Sequence, residues 1–128
     1  MVKKSDWKTL DMPIENETFI LEKALSSDEI EMIKEGYRPQ EMEDKWFMYY
    51  EEGKLYIHRS WTGFCIFIVH ISETGMMEVT VNRNLEQHKE TDVEKNKIML
   101  DILLNRLIGA AAENARLMKR YIERGNDR

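Results

Sequence analysis

The stretch Lys45–Phe67, KWFMYYEEGKLYIHRSWTGFCIF, decides the fold. It reads as two β-strands, a tight turn and the start of a third strand. Glu52-Gly53 between two alternating aromatic runs is a hairpin signal. A two-residue turn there pairs Tyr50 with Leu55, Met48 with Ile57 and Trp46 with Arg59 on one face, leaving Phe47, Tyr49, Tyr56 and His58 on the other. Thr62-Gly63 predicts a second hairpin, with Arg59 opposite Ile66 and His58 opposite Phe67. Glu73-Thr74-Gly75 predicts a third, pairing Val69 with Val79, Phe67 with Val81 and His70 with Glu78. On these registers Phe47, Tyr49, Tyr56, Phe67, Val69, Ile71, Met77, Val79 and Val81 share an apolar face. Leu55, Ile57, Ile66 and Ile68 share the opposite one with Arg59, His70, Glu78, Thr80 and Asn82. A one-residue slip would exchange the faces. The mixed face is too apolar to be solvated throughout, so the N-terminal helix, a second subunit or a ligand is expected to cover part of it.

Outward from the sheet the pattern changes. Residues 1–16 are polar and mixed, an arm with Trp7 and Leu10 as anchors. Thr18–Leu25 is apolar and reads equally as a short strand or as the approach to a helix. Ser26 and Ser27 followed by Glu29 resemble a capping box, and Ile30, Met32 and Ile33 then keep helical spacing until Gly36, which predicts a helix over 28–35. Pro39 and the acidic run Glu41–Asp44 make a loop. After the sheet, Thr91 or Asp92 can cap a helix over 92–123, with Lys119, Arg120 and Arg124 near its carboxyl end. Such a helix would span roughly 45 Å, more than a small sheet can cover. It must bend near Gly109 or meet another subunit with its far half. The expected class is therefore α+β: one domain over 1–128, a four-stranded antiparallel meander over 46–84, a short N-terminal helix, and a long C-terminal helix packed on one sheet face.

Composition sets limits on function. With 128 residues, 42% hydrophobic and 34% charged, the chain is long enough for one real core. The formal charge of −5 is uneven: residues 1–45 hold 7 Lys+Arg against 12 Asp+Glu, and residues 46–128 hold 12 of each. No segment has the basic excess that phosphate neutralisation needs, so nucleic acid is not an expected partner. A lone cysteine, Cys65, excludes an internal disulfide framework and sits in an apolar run as a small core residue. No apolar run follows Lys3 and Lys4, and none approaches the ~20 positions of a membrane helix, so a cytoplasmic protein without membrane partners is expected.

The candidate site lies at one end of the sheet. Arg59, Ser60, Trp61 and Thr62 leave the second predicted strand there, Asn82, Arg83 and Asn84 leave the fourth, and the long helix begins at about Asp92 with free N–H groups. Guanidiniums, amides, hydroxyls, an indole and a helix N-terminus together suit an anion that carries a flat ring, such as a nucleotide or ADP-ribose-like molecule. The plain alternative is that Trp61 caps the core edge, Gly63 serves a positive φ and the arginines neutralise carboxylates. Catalytic signals are weaker. His70 facing Glu78 could be an acid/base pair or a cross-strand contact. His88 and Asp92 lack the further ligands of a metal site, and no cofactor motif is present, so neither metal nor cofactor is expected.

The string Trp46-Phe47-x-Tyr49, then Gly53-x-Leu55-Tyr56-x-His58-Arg59-Ser60-Trp61-Thr62-Gly63-x-Cys65-Ile66, resembles a signature of small uncharacterised bacterial proteins and appended domains found in the neighbourhood of ADP-ribose-processing proteins. The resemblance covers about a quarter of the chain and implies a family without implying an activity. The reading that follows is a binding or interaction module, dimeric, recognising a nucleotide-like ligand at the His58–Gly63 turn. Its alternative is a small enzyme on a nucleotide-like or phosphorylated substrate, binding through Arg59, Arg83 and Trp61 and moving a proton through His58 or His70.

Overall fold

The computed structural model describes residues 1–126. They form two compact units, Met1–Lys89 and the helical segment that begins at Glu90. The first unit holds one antiparallel sheet of five strands: β1 (Asn16–Glu22), β2 (Trp46–Glu51), β3 (Lys54–Arg59), β4 (Cys65–His70) and β5 (Met76–Asn82), in the spatial order β1-β5-β4-β3-β2. The expected meander of four is thus extended by a fifth strand from the ambiguous apolar segment. β1 pairs along the free edge of β5, with Phe19 opposite Val79 and Leu21 opposite Met77. An uncovered β5 edge would leave a row of backbone donors and acceptors without partners, and β1 removes it.

The β2–β3 hairpin closes at Glu52-Gly53, both at positive φ (49° and 84°), as a turn matched to strand twist requires. Its pairs are Tyr50 with Leu55, Met48 with Ile57 and Trp46 with Arg59, the register expected. The β4–β5 pairing of Phe67 with Val81 and Val69 with Val79 is also as expected.

Between β3 and β4 the structure differs from the sequence reading. Ile57 pairs with Phe67 and His58 with Cys65, with a bulge between them, so Arg59 does not face Ile66 and His58 does not face Phe67. The cause is the loop. The Ser60 N–H donates to the Lys45 carbonyl at 2.9 Å and its hydroxyl to the Asp44 carbonyl at 2.7 Å, which draws the chain toward β2 and starts the reversal early, as a four-residue loop over 60–63 in place of a two-residue turn. The slip regroups the faces. Met48, Leu55, Ile57, Phe67, Val69, Val79 and Val81 now form one continuous, fully buried apolar face. Phe47, Tyr49, Tyr56 and His58 share the other with Cys65 and Ile68.

That second face is covered at its β2–β3 end by the N-terminal arm, which includes a single 3-10 turn at Lys4–Asp6. Trp7 stacks on Phe47 with ring centroids 6.0 Å apart, and the Leu10 N–H donates to the Gly63 carbonyl at 2.8 Å. Helix α1 (Ser27–Glu35) begins with the expected capping box: the Glu29 N–H donates to Ser26 Oγ at 3.1 Å and the Ser26 N–H to the Glu29 carboxylate at 2.9 Å. Ile30 and Ile33 bury its inner side. Gly36 ends it, and Tyr37 then forms a two-way bridge with Met48 at 2.9 Å in each direction.

In the second unit the single long helix expected over 92–123 is two helices, α2 (Val93–Leu107) and α3 (Asn114–Asn126). The break is a Schellman stop: Gly109 takes φ +72° and the Ala110 N–H donates to the Asn105 carbonyl at 2.8 Å. The chain then turns back on itself. Leu117 and Tyr121 pack on Ile98 and Ile102, and Arg124 pairs with the α2 cap residue Asp92. This hairpin takes up the excess length that a straight helix would have had.

Two glycines separate local strain from steric clash. Gly36 combines φ +73° with a position where a Cβ would lie 2.4 Å from the Met48 carbonyl oxygen, whereas Gly53 has positive φ and open space. Gly36→Ala should therefore cost about 3 kcal/mol or more and Gly53→Ala only about 1–2 kcal/mol, measured by urea unfolding. Equal losses would contradict the close approach of Gly36 to β2.

Candidate functional site

The turn from Arg59 to Phe64 is held from inside and from outside. Internally, the Gly63 N–H donates to the Arg59 carbonyl and the Arg59 N–H to the Phe64 carbonyl, both at 2.9 Å. Gly63 sits at φ +81°, which favours glycine, and a Cβ there would lie 3.1 Å from the Lys8 carbonyl oxygen, so the arm passes close over it. Externally, the Trp7 indole N–H donates to the Ser60 carbonyl at 2.7 Å and Lys8 Nζ to the Trp61 carbonyl at 2.9 Å.

Within this frame each expected site residue has a definite place. The Arg59 guanidinium lies 4.7 Å over the Trp46 ring, and burial holds its pKa below the usual arginine value. Ser60 is buried on the Asp44 carbonyl. Trp61 is 65% exposed, yet its indole N–H is fixed to the Met42 carbonyl at 2.9 Å. The Thr62 hydroxyl accepts from the Phe64 N–H at 3.3 Å. Asn82 is buried, donating to the Cys65 carbonyl at 2.8 Å and to Gln87 at 2.9 Å while accepting from the Asn84 N–H at 2.8 Å. Arg83 pairs with Glu17 at 2.5 Å and Asn84 donates to Glu15 at 3.3 Å, so both face the carboxylates of β1 and its approach.

Arg59 and Arg83 leave β3 and β5 at the same end of the sheet, separated by β4. The cleft beside Trp61 has a volume of about 560 Å³ and is walled by Trp7, Pro39–Met42, Asp44, Ser60 and Trp61, not by the residues that follow β5. Its carboxylates are Glu41 and Asp44; the Asp44 side chain accepts from the Gln40 N–H at 2.8 Å and the Glu41 N–H at 3.3 Å. The acidic run is thus a folded loop that supplies the Trp61 anchor. Asp92 caps α2 through the Glu94 N–H at 3.1 Å and pairs with Arg124.

A second cavity, of about 190 Å³, lies between the arm and the sheet, and nothing in the sequence pattern marked it. Its floor is the trio Tyr56, Tyr49 and His58. The tyrosine rings stack at 4.8 Å and 9°, and Tyr49 stacks on His58 at 5.6 Å and 17°. Leu10, Met12 and Ile68 make its walls, and Lys4, Asp11 and Glu51 also line it. His58 is 2% exposed; its Nδ1 contacts the Gly63 carbonyl at 2.9 Å, and its Nε2 has no hydrogen-bond partner. Burial pushes the His58 pKa below 6.5, opposed in part by the Gly63 hydrogen bond, and the coulombic effects of Lys4 and Asp11 are smaller and opposite in sign. Burial also raises Tyr49 and Tyr56 and pushes the Cys65 thiol up to about 12, which makes Cys65 a core residue and not a nucleophile.

The remaining candidates are dispersed. His70 and Glu78 are both exposed, and His70 lies opposite Lys54 in the β3–β4 ladder. His88 packs edge-on against Phe67 at 6.1 Å. Among the described residues no three His, Cys, Asp or Glu side chains are grouped to hold a metal ion, and no helix is long and apolar enough to cross a membrane. Compared with models of protein families, with curated proteins and with solved structures, the chain matches none.

The buried imidazole gives a pH signature. The folded chain binds the His58 proton more weakly than the unfolded chain, so this group's stabilisation is present above pH 6.5 and is lost as pH falls below it toward the folded value. Thermal midpoints should drop between pH 7 and 5 more steeply for the wild type than for His58→Phe, since that variant has no imidazole to protonate. Parallel curves would contradict a neutral buried His58.

Proposed function

We propose that this protein is a binding module whose ligand stacks on Trp61, and that the ligand is a ring-bearing anion of the nucleotide or ADP-ribose kind. One observation carries the reading: an indole left mostly exposed while its N–H is tied to the Met42 carbonyl, at the rim of an open cleft. A large apolar ring held rigid in water is costly to keep for packing alone, and it is what a stacking platform requires. The Lys8 ammonium at the Trp61 carbonyl supplies positive charge at the same corner. The resemblance of the Trp46–Ile66 string points the same way. A catalytic reading has less to draw on, because His58 is enclosed and Arg83 is engaged by Glu17.

A second reading is favoured by the cleft wall itself. Trp7 and Trp61 with Glu41 and Asp44 make an aromatic, acidic surround, which suits a cationic group by cation–π and charge attraction. The two readings predict opposite ligand charge.

Calorimetric titration with ADP-ribose and, separately, with choline distinguishes them. Saturable ADP-ribose binding that Trp61→Ala weakens by about tenfold or more is the expected result, as the loss of one stacking contact implies. Saturation by choline alone would select the cationic ligand, and saturation by neither at millimolar concentration would overturn the module reading at this cleft.

A further inference from the structure

We infer that the cavity of about 740 Å³ beside residues 1–9 is a binding site for a small phosphate monoester, with the phosphate among Lys3, Lys4 and Lys8 and the apolar body against Trp7 and Tyr50. The inference does not rest on a ligand at Trp61, because the two cavities have Trp7 as their one common wall.

Charge distinguishes this cavity. Residues 1–45 are acidic taken together, yet the fold gathers Lys3, Lys4 and Lys8 around one opening whose single lining carboxylate is Glu51. Three ammoniums against one carboxylate leave an excess of two positive charges, which matches the charge of about −2 on a phosphate monoester. The nearest other carboxylates of the arm and α1 are engaged elsewhere. Asp6 accepts from the Lys3 backbone N–H at 2.9 Å, and Glu35 pairs with the Met1 amino group at 3.2 Å. Among the described residues neither Lys3 nor Lys4 has a carboxylate at ion-pair distance. Lys8 Nζ gives one of its three donors to the Trp61 carbonyl. Burial is the main reason that His58 stays neutral, and the Lys4 charge adds to it, which puts that ammonium over the sheet. Like charges gathered around one opening repel, and a bound anion relieves that repulsion.

The lysines are carried on a frame that is already fixed. The Val2 N–H donates to the Glu35 carbonyl at 3.0 Å and the Trp7 indole N–H to the Ser60 carbonyl at 2.7 Å, so the segment is tied at both ends around its 3-10 turn. Trp7 stacks on Phe47 at 6.0 Å, and the Lys34 ammonium lies 5.6 Å over the Tyr50 ring, so both aromatic walls are held before any ligand arrives. Small-molecule sites of roughly 300–1,000 Å³ have this make-up, aromatic walls with a few charged groups that set orientation. Lysine binds phosphate as a point charge and needs no fixed fork geometry, which suits side chains spread along an arm.

Phenyl phosphate is the probe, titrated at low salt into the full chain labelled with nitrogen-15. It should move the Lys4 and Tyr50 amide signals and the Trp7 indole signal saturably in the millimolar range or below. Phenol lacks the charge and inorganic phosphate lacks the ring, so each should bind about tenfold or more weakly than the ester. The double variant Lys3→Gln with Lys4→Gln changes two exposed positions, keeps the fold, and should weaken phenyl phosphate by about tenfold or more; Trp61→Ala should leave its affinity unchanged. Any of four results would overturn the inference: no saturable shift at millimolar ester, a double variant that binds as the wild type does, phenol or inorganic phosphate binding as tightly as the ester, or binding lost in Trp61→Ala, which would move the anion to the other cleft.

Discussion

The carbonyl oxygen of Gly63 accepts from two directions, the Leu10 N–H at 2.8 Å and the His58 ring nitrogen at 2.9 Å. A carbonyl has two lone pairs, and here one ties down the N-terminal arm while the other fixes the tautomer and tilt of a buried imidazole. Glycine suits this position on two counts. The residue takes φ +81° for the chain to reverse, and a Cβ there would lie 3.1 Å from the Lys8 carbonyl oxygen, so a side chain would push the arm back by a few tenths of an ångström. Arm, turn and His58 are therefore one structural unit, although they are far apart in the chain.

From that junction the division of the second sheet face follows. Where the arm lies, aromatic side chains are buried: Phe47 under Trp7, and Tyr49 and His58 beside the small cavity. Beyond the arm, toward β5 and β1, the same face becomes open, with Ile20 and Glu78 exposed. The centre of the opposite face does not need such a division, because there the register aligns Met48, Leu55, Ile57, Phe67, Val69, Val79 and Val81, with Trp46, Tyr50, Arg59 and Glu17 at its margins. The bulge between β3 and β4 makes both patterns possible at once. It lets Cys65 face His58 while Phe67 still faces Ile57.

Much of this was readable from residue order alone. Glu52-Gly53 set the first hairpin register, Ser26 with Glu29 set the start of α1, and Gly75 set the β4–β5 turn, because each depends on chemistry within four residues. What could not be read depends on distant partners. The β3–β4 register turns on Ser60 finding the Lys45 and Asp44 carbonyls, and β1 turns on the free edge of β5. Gly109 was visible as a weak point, but whether a helix bends or stops there is decided by the Ala110–Asn105 hydrogen bond and by Leu117 having Ile98 and Ile102 to pack against. The site was legible in the same proportion. Ser60 and Trp61 line a cleft, but its other walls are Trp7 and the loop over 39–44 and not the expected Arg59, Asn82, Arg83 and Asn84; the His58 cavity exists only because the arm roofs it, and a polar arm gives no sign of where it will lie.

The dependence of the rest on the Gly63 junction can be measured at a single amide. Native-state hydrogen exchange of the Leu10 N–H should be as slow as that of the Arg59 and Ser60 amides, since all three are released only when the turn and the arm come apart together. A Leu10 amide exchanging orders of magnitude faster than those two would mean that the arm detaches while the sheet stays folded, and that it is a loose cover and not part of the fold.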